Sequence, residues 1–218
     1  MYQLIDGKKI SQEIKDELKD KVTALKAQGK NICLAVIQVG SDPASSVYVG
    51  NKKKACAYIG IESLAYELPE ETTQEELLDL VKKLNADDKV NGILVQLPLP
   101  KQIDEEKVIQ TIAPEKDVDG FNEKNVGALC VGSKGYVSCT PLGIIQLLKR
   151  SGVEIAGKHC VVIGRSNIVG KPMSLLLLRE NGTVTVCHSR TQDIKEITKQ
   201  ALSAPVPSPA RYREDNSR

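Results

Sequence analysis

The chain has 218 residues, of which 41% are hydrophobic and 27% charged, an ordinary globular balance with enough material to bury a core. A net charge of +2 singles out no polyanionic partner, and a 3% aromatic content without tryptophan argues against a base-stacking nucleic-acid surface. Six cysteines with no C-x-x-C pair and only two histidines argue against a metal site, and no apolar run approaches a membrane span. With no signal-peptide pattern at residues 1–9, a cytoplasmic protein with reduced, mostly buried thiols is expected.

In chain order, Ile10, Ile14, Leu18, Val22 and Leu25 recur at helical spacing until Gly29. Residues 32–39 form a compact apolar run, a buried strand. Asp42-Pro43 opens a second helix lasting to about Gly60, and Thr73 with Glu76 forms a capping-box pattern before a third. Residues 90–97 read as another buried strand. This alternation predicts a parallel α/β sheet. A new unit opens at Thr140-Pro141, with Thr140 as N-cap and Pro141 at the first helical position. Strands at 160–163 and 183–187 flank a helix after Gly170, and a short helix covers about 192–199, like the first half of a dinucleotide-binding fold. The expected domains are a catalytic unit over 1–140, a partial nucleotide-binding unit over 141–200, and an unstructured tail over 201–218 carrying Pro205, Pro207 and Pro209.

Four places can carry chemistry. On a helix turning about 100° per residue, Tyr48, Ala55, Cys56 and Ile59 all fall within about 60° of Lys52. Lys52 is therefore either a stem packed in an apolar stripe with its ammonium reaching water, or a desolvated general acid/base. Gln96 stands at the carboxyl end of a strand before Leu97-Pro98-Leu99-Pro100, where open α/β sheets bind ligands; it can orient a lysine or tie down its own loop. Glu115, Asp117 and Asp119 around Lys116 read either as turn chemistry or as a carboxylate gripping an amino-pyrimidine-like ring. Finally, residues 164–172 run from strand to helix and fit a phosphate-cradling turn, although Ser166 stands where G-x-G-x-x-G has glycine. Arg165 and the cluster His188-Ser189-Arg190 favour a ribose 2′-phosphate, hence NADP over NAD; the alternative for Arg190 is a solvated surface.

Taken in order, Tyr48-Val49-Gly50-Asn51-Lys52-Lys53-Lys54-Ala55, Val95-Gln96-Leu97-Pro98-Leu99-Pro100, Pro114-Glu115-Lys116-Asp117-Val118-Asp119-Gly120, Cys139-Thr140-Pro141 and Gly164-Arg165-Ser166-x-x-Val169-Gly170-x-Pro172 resemble the signature series of the bifunctional methylenetetrahydrofolate dehydrogenase/methenyltetrahydrofolate cyclohydrolase family. Ser41-Asp42-Pro43-Ala44-Ser45 matches the loop before the family's lysine helix. The resemblance covers about the first 200 residues. It implies an α/β enzyme with an N-terminal parallel-sheet catalytic domain and a Rossmann-like NADP-binding domain, acting on tetrahydrofolate derivatives and commonly homodimeric. By the same resemblance Lys52 would be the acid/base of hydrolysis, Tyr48 would line the pterin site, Gln96 would hold Lys52, and Asp119 would grip the pterin. Arg165 and Ser189 would hold the 2′-phosphate, with Gly164, Ser166 and Ile168 near the cofactor.

The match stops after Ala201, whereas family members continue into a further strand, a glycine-rich loop and a final helix. A frameshift, an intron read-through or an alternative terminus would each produce such a switch. The expected consequence is an incomplete Rossmann-like unit with an open strand edge and impaired dehydrogenase activity. Two other readings compete: a generic NADP-dependent reductase, which leaves Tyr48, Lys52 and the Gln96 loop unexplained, and a truncated remnant without turnover, which the tail favours.

Overall fold

The computed structural model of the protein describes residues 4–201, so most of the expected tail lies outside the described residues. The first unit alternates helices and strands: α1 (Gly7–Ala27), β1 (Cys33–Val39), α2 (Pro43–Ile59), β2 (Glu62–Leu68), α3 (Gln74–Ala86) and β3 (Gly92–Val95). After these come α4 (Glu105–Thr111) and α5 (Glu123–Val131). The strands form a parallel sheet in the order β2-β1-β3. β1 is buried along nearly its whole length, which explains its continuous apolar run. The sheet packs through Ala35, Ile37, Ile93 and Val95 on Leu77 and Val81 of α3, while Val36 and Leu94 meet Val49 of α2 on the other face.

Local chemistry sets the boundaries. Asp42 caps α2, accepting from Ser45 N at 2.7 Å, and Gly60 ends that helix at φ +87°. The capping box at α3 is formed in both directions, with Glu76 accepting from Thr73 N at 2.8 Å and Thr73 Oγ1 accepting from Glu76 N. β2 escapes the search for apolar runs. Its Leu64, Tyr66 and Leu68 alternate with Glu67 and other residues, as an edge strand with one wet face requires. α4 and α5 are likewise too short to show a period.

The second unit is α6 (Cys139–Arg150), β4 (His159–Ile163), α7 (Gly170–Arg179), β5 (Thr183–Cys187) and α8 (Ile194–Lys199), with β4 and β5 paired in parallel. Two expectations shift here. The N-cap of α6 is Ser138, so Thr140 and Pro141 lie inside the first turn, where a missing N–H costs nothing because that donor has no intrahelical partner. The expected strand at 90–97 contracts to four residues, because the peptide after Val95 turns into the proline loop. Among the thiols, Cys33, Cys56 and Cys187 are buried, whereas Cys130 and Cys139 are exposed. No helix of the described residues is long and apolar enough to cross a membrane.

The segment at 116–118 adds a ragged fourth line to the first sheet. Ile93 N donates to Lys116 O at 2.7 Å, and Ile93 pairs with Asp117 in a parallel bridge. Gly92 permits this approach, since a Cβ there would stand 2.5 Å from Val118 Cγ1. Gly92→Ala should therefore push this segment off the sheet and destabilise the protein by about 1–3 kcal/mol. Denaturant unfolding checks it; a midpoint and slope equal to wild type would show that the approach is not required.

Candidate active site

All three strands of the first sheet run the same way, so the segments leaving their carboxyl ends gather at one edge. Gln96 follows β3 directly and is held there by its own backbone N–H, which donates to Ile37 O at 2.8 Å. Its side chain is fixed at both ends. Nε2 donates to Leu97 O at 2.7 Å, which aims Oε1 outward as an acceptor, and Lys52 Nζ donates to that Oε1 at 2.8 Å. The two readings of Gln96, tying its loop or orienting a lysine, thus describe two ends of one amide.

Lys52 projects from the middle of α2, on the stripe that buries Cys56 and Ile59, and is only partly exposed. Burial pushes its ammonium below the ordinary lysine range, and the Asp119 carboxylate opposes that shift. Lys53 leaves the stripe and pairs with Glu67 at 2.6 Å. Tyr48, one turn before Lys52, is 59% exposed and offers its ring beside the amine.

Asp119 arrives on a loop braced from both sides. Lys116 Nζ donates to the carbonyls of Leu84, Asn85 and Asp87, at 3.1, 2.8 and 2.8 Å, closing the carboxyl end of α3 with a cation. Asp117 is 1% exposed, and its carboxylate accepts from Gly120 N, Asn122 N and Asn125 Nδ2 at 3.1, 2.8 and 2.9 Å. Gly120 is required at φ +67°: a Cβ there would lie 2.9 Å from the backbone of residues 136–138. Asp117 is thus the turn carboxylate, and Asp119 is left to face Lys52. Burial raises the Asp119 carboxyl to about 6, opposed by Lys52 and assisted by the charge of Asp117. Glu115 stays exposed, outside this bracing.

Sequence reasoning quoted Cys139 only as part of a motif. Its thiol, at the first position of α6, donates weakly to Val118 O at 3.6 Å; although the residue is exposed, the protein behind the sulfur desolvates it and raises its titration, Asp119 adds to the shift and Lys52 opposes it. Its neighbour Ser138 donates from Oγ to Ile168 O at 2.6 Å. Consecutive residues thus touch the lysine–carboxylate cluster and the turn after β4. Their partners lie 21 and 30 residues away in the chain, so reading single motifs misses both contacts.

That turn follows β4 into α7. Gly164 N donates to Cys187 O at 2.8 Å with φ at +124°, and Gly170 fits only without a side chain, because a Cβ would sit 2.4 Å from Gly164 O. Ser166 Oγ accepts from Val169 N and Gly170 N at 3.2 and 3.3 Å, taking the capping place that a second glycine would leave open. Arg165, Ser166 and Ile168 are exposed on this turn, and Ser189 and Arg190 are exposed after β5. The register pairing Ile163 with Cys187 sets the two loops side by side. His188 Nδ1 accepts from Arg190 N at 3.2 Å and folds that second loop. A glycine-cornered turn ahead of a helix N-terminus, with two arginines beside it, has the shape and charge to hold a phosphorylated dinucleotide. Among the described residues no cluster of metal-ligating side chains occurs.

The fold and site define a class: an α/β protein joining a lysine–amide–carboxylate pocket to a dinucleotide-type turn. Comparison with known proteins is specific. The catalytic-domain model of tetrahydrofolate dehydrogenase/cyclohydrolase matches residues 5–119, and the NAD(P)-binding-domain model of the same enzymes matches residues 138–203. The bifunctional protein FolD of Lachnoclostridium phytofermentans is 71% identical over 201 residues, covering 92% of this chain and 71% of the relative. FolD of Acetivibrio thermocellus is 63% identical, over 91% of this chain and 70% of its own length. The crystal structure of the Campylobacter jejuni enzyme superposes with a TM-score of 0.90 at 51% identity, over 92% of this chain and 72% of that one. The Trypanosoma brucei enzyme, solved with NADP cofactor and inhibitor, gives 0.87 at 39%, over 92% and 69%. The chain belongs to the tetrahydrofolate dehydrogenase/cyclohydrolase family.

The raised carboxyl of Asp119 has a consequence for stability. A carboxyl at 3.8 when unfolded and about 6 when folded favours the fold most below 3.8, and that contribution is lost as pH rises toward 6. Asp119→Asn, which does not titrate, should gain stability over wild type through this window and keep the gain above it. Thermal unfolding from about pH 4 to pH 7 checks this; a difference independent of pH would contradict it.

Proposed function

We propose that the chain oxidises 5,10-methylenetetrahydrofolate with NADP⁺ and hydrolyses the resulting methenyl cation to 10-formyltetrahydrofolate, as a cytoplasmic enzyme that pairs into a homodimer as its family commonly does. The observation that carries the reading is Lys52 Nζ held at 2.8 Å on Gln96 Oε1 beside the partly buried Asp119. Hydrolysis needs a base for the attacking water and an acid for the departing nitrogen. An amine whose proton affinity is lowered by burial gives up its proton more readily than a solvated lysine does.

In this mechanism water adds its oxygen to the methenyl carbon and gives a proton to the neutral amine of Lys52. The resulting carbinolamine collapses as its carbon–N5 bond breaks: the Lys52 ammonium returns its proton to N5, and the hydroxyl proton passes to the freed Lys52 amine and on to solvent as the carbonyl forms, leaving the formyl group on N10. Gln96 accepts from the amine throughout and holds it in place. Asp119 is positioned to accept two N–H donors from the pterin's amino-pyrimidinone edge, which also offsets the cost of burying its charge. Tyr48 offers a flat ring against the pterin or its aryl substituent.

When bound, NADP⁺ supplies the hydride acceptor. The residues fit it: Gly164, Arg165, Ser166 and Ile168 on the first loop, and His188, Ser189 and Arg190 on the second, with the two guanidinium groups suited to a 2′-phosphate. Oxidation asks mainly for positioning. The Ser138–Ile168 hydrogen bond next to Cys139 supports placing both substrates against one another.

Lys52→Met should lower methenyltetrahydrofolate hydrolysis by roughly 10²–10⁴-fold while leaving folding intact, since it removes a partly buried charge. A spectrophotometric hydrolysis assay paired with thermal unfolding checks this. Normal hydrolysis by the folded variant would remove Lys52 from its role.

A further inference from the structure

One contact at the start of α6 serves neither the helix nor the proton transfers at Lys52. Ser138 is the N-cap of α6, with φ −48° and ψ 127°, yet its side chain makes no capping hydrogen bond. An N-cap serine ordinarily turns its oxygen back to the second or third helical N–H. Here the hydroxyl is committed elsewhere. It donates to Ile168 O at 2.6 Å, 30 residues further along the chain, in the turn between β4 and α7. Ser138 itself is buried.

The same segment is seated on the loop that carries Asp119. A Cβ on Gly120 would stand 2.9 Å from Ser138 N, so the backbone at Ser138 lies directly against the residue after Asp119. Cys139 Sγ donates to the carbonyl of the residue before it, Val118, at 3.6 Å. Tyr136 N donates to Asn125 Oδ1 at 3.1 Å, and Asn125 Nδ2 donates to Asp117 Oδ2 at 2.9 Å, which ties the segment to the buried turn carboxylate as well. The Ser138 backbone is thus fixed to the Asp119 loop while its hydroxyl holds the dinucleotide-type turn. That turn has internal bonds of its own, from Val169 N and Gly170 N to Ser166 Oγ, but these set its shape and not its distance from the first unit.

We propose that Ser138 is a positioning residue for the oxidation, fixing the distance between the dinucleotide turn and the carboxylate that grips the folate, and that hydrolysis does not depend on it. This inference rests on the two-reaction reading given above. Hydride transfer joins groups held by loops of two different units, and a misplacement of about 1 Å in such a reaction can cost about 10²-fold. Hydrolysis uses water and Lys52, Gln96 and Asp119, all within the first unit. Slack in the turn therefore slows one reaction and spares the other. A capping bond would serve α6 alone, whereas the bond to Ile168 O sets two sites in register.

The test compares both reactions in variants of the 218-residue chain. Ser138→Ala removes the donor without removing a cap, so folding should be preserved, as thermal unfolding will show; Ser138→Gly serves if it is not, since glycine is tolerated at an N-cap. With NADP⁺ and 5,10-methylenetetrahydrofolate both saturating, single-turnover oxidation by the variant should be about tenfold slower than by wild type, while hydrolysis of methenyltetrahydrofolate without cofactor stays within about threefold. Ser138→Thr, which keeps the hydroxyl, should restore oxidation to within about threefold of wild type. Equal losses in the two reactions, oxidation at the wild-type rate without the hydroxyl, or a folded threonine variant as slow as the alanine one overturns the inference and leaves the enzyme reading standing. A wild-type chain that oxidises no methylenetetrahydrofolate overturns the oxidation reading and the inference with it.

Discussion

An amine on a helix can serve as a proton carrier only if it is partly stripped of water and still prevented from wandering. The hydrogen bond from Lys52 Nζ to Gln96 Oε1 meets both conditions, and much of the first unit serves to make it. The parallel sheet carries Gln96 to its carboxyl edge, and the Leu97 carbonyl orients the amide. The apolar stripe of α2 holds Lys52 by its stem. Burial lowers the proton affinity of the amine and raises that of the Asp119 carboxyl; near one another, each opposes the shift in the other. The pair is poised because neither group is fully solvated and neither is fully compensated.

The bracing of Asp119 shows how a fold separates chemically identical groups by environment. Asp117 and Asp119 are two residues apart, yet the first satisfies three buried donors and the second faces the cleft. The lysine between them caps a helix. Removing Gly92 or Gly120 would disturb this arrangement without touching any reacting atom, which is why glycine stands at both places.

The elements with long apolar periods or runs, α1, β1, α2 and α3, were legible in the sequence, as were the helix and strands around the second turn. β2, α4 and α5 were not, because an alternating edge strand and one- or two-turn helices leave weak periodic traces. At the site, the helical wheel placed Lys52 on an apolar face, and the proline loop placed Gln96 at a strand end. Their contact spans 44 residues and no local pattern encodes it. The three carboxylates around Lys116 could not be sorted by spacing, since all three share one turn; only the donors supplied by Asn122 and Asn125 distinguish Asp117. Family resemblance supplied the pairing that spacing alone left open. The role of Ser138 in meeting the second turn had no sequence signature at all.

The account depends most directly on the protonation behaviour of one amine. Lysine side-chain nitrogens can be followed by NMR through a pH titration, with the Lys52 signal assigned by its loss in Lys52→Met. A Lys52 signal that titrates clearly below the surface lysines, which change near about 10.4, is the result expected of an amine held by Gln96 in a partly desolvated cleft. A Lys52 signal that titrates together with those surface lysines would mean that the amine is solvated and free, and would contradict the central claim.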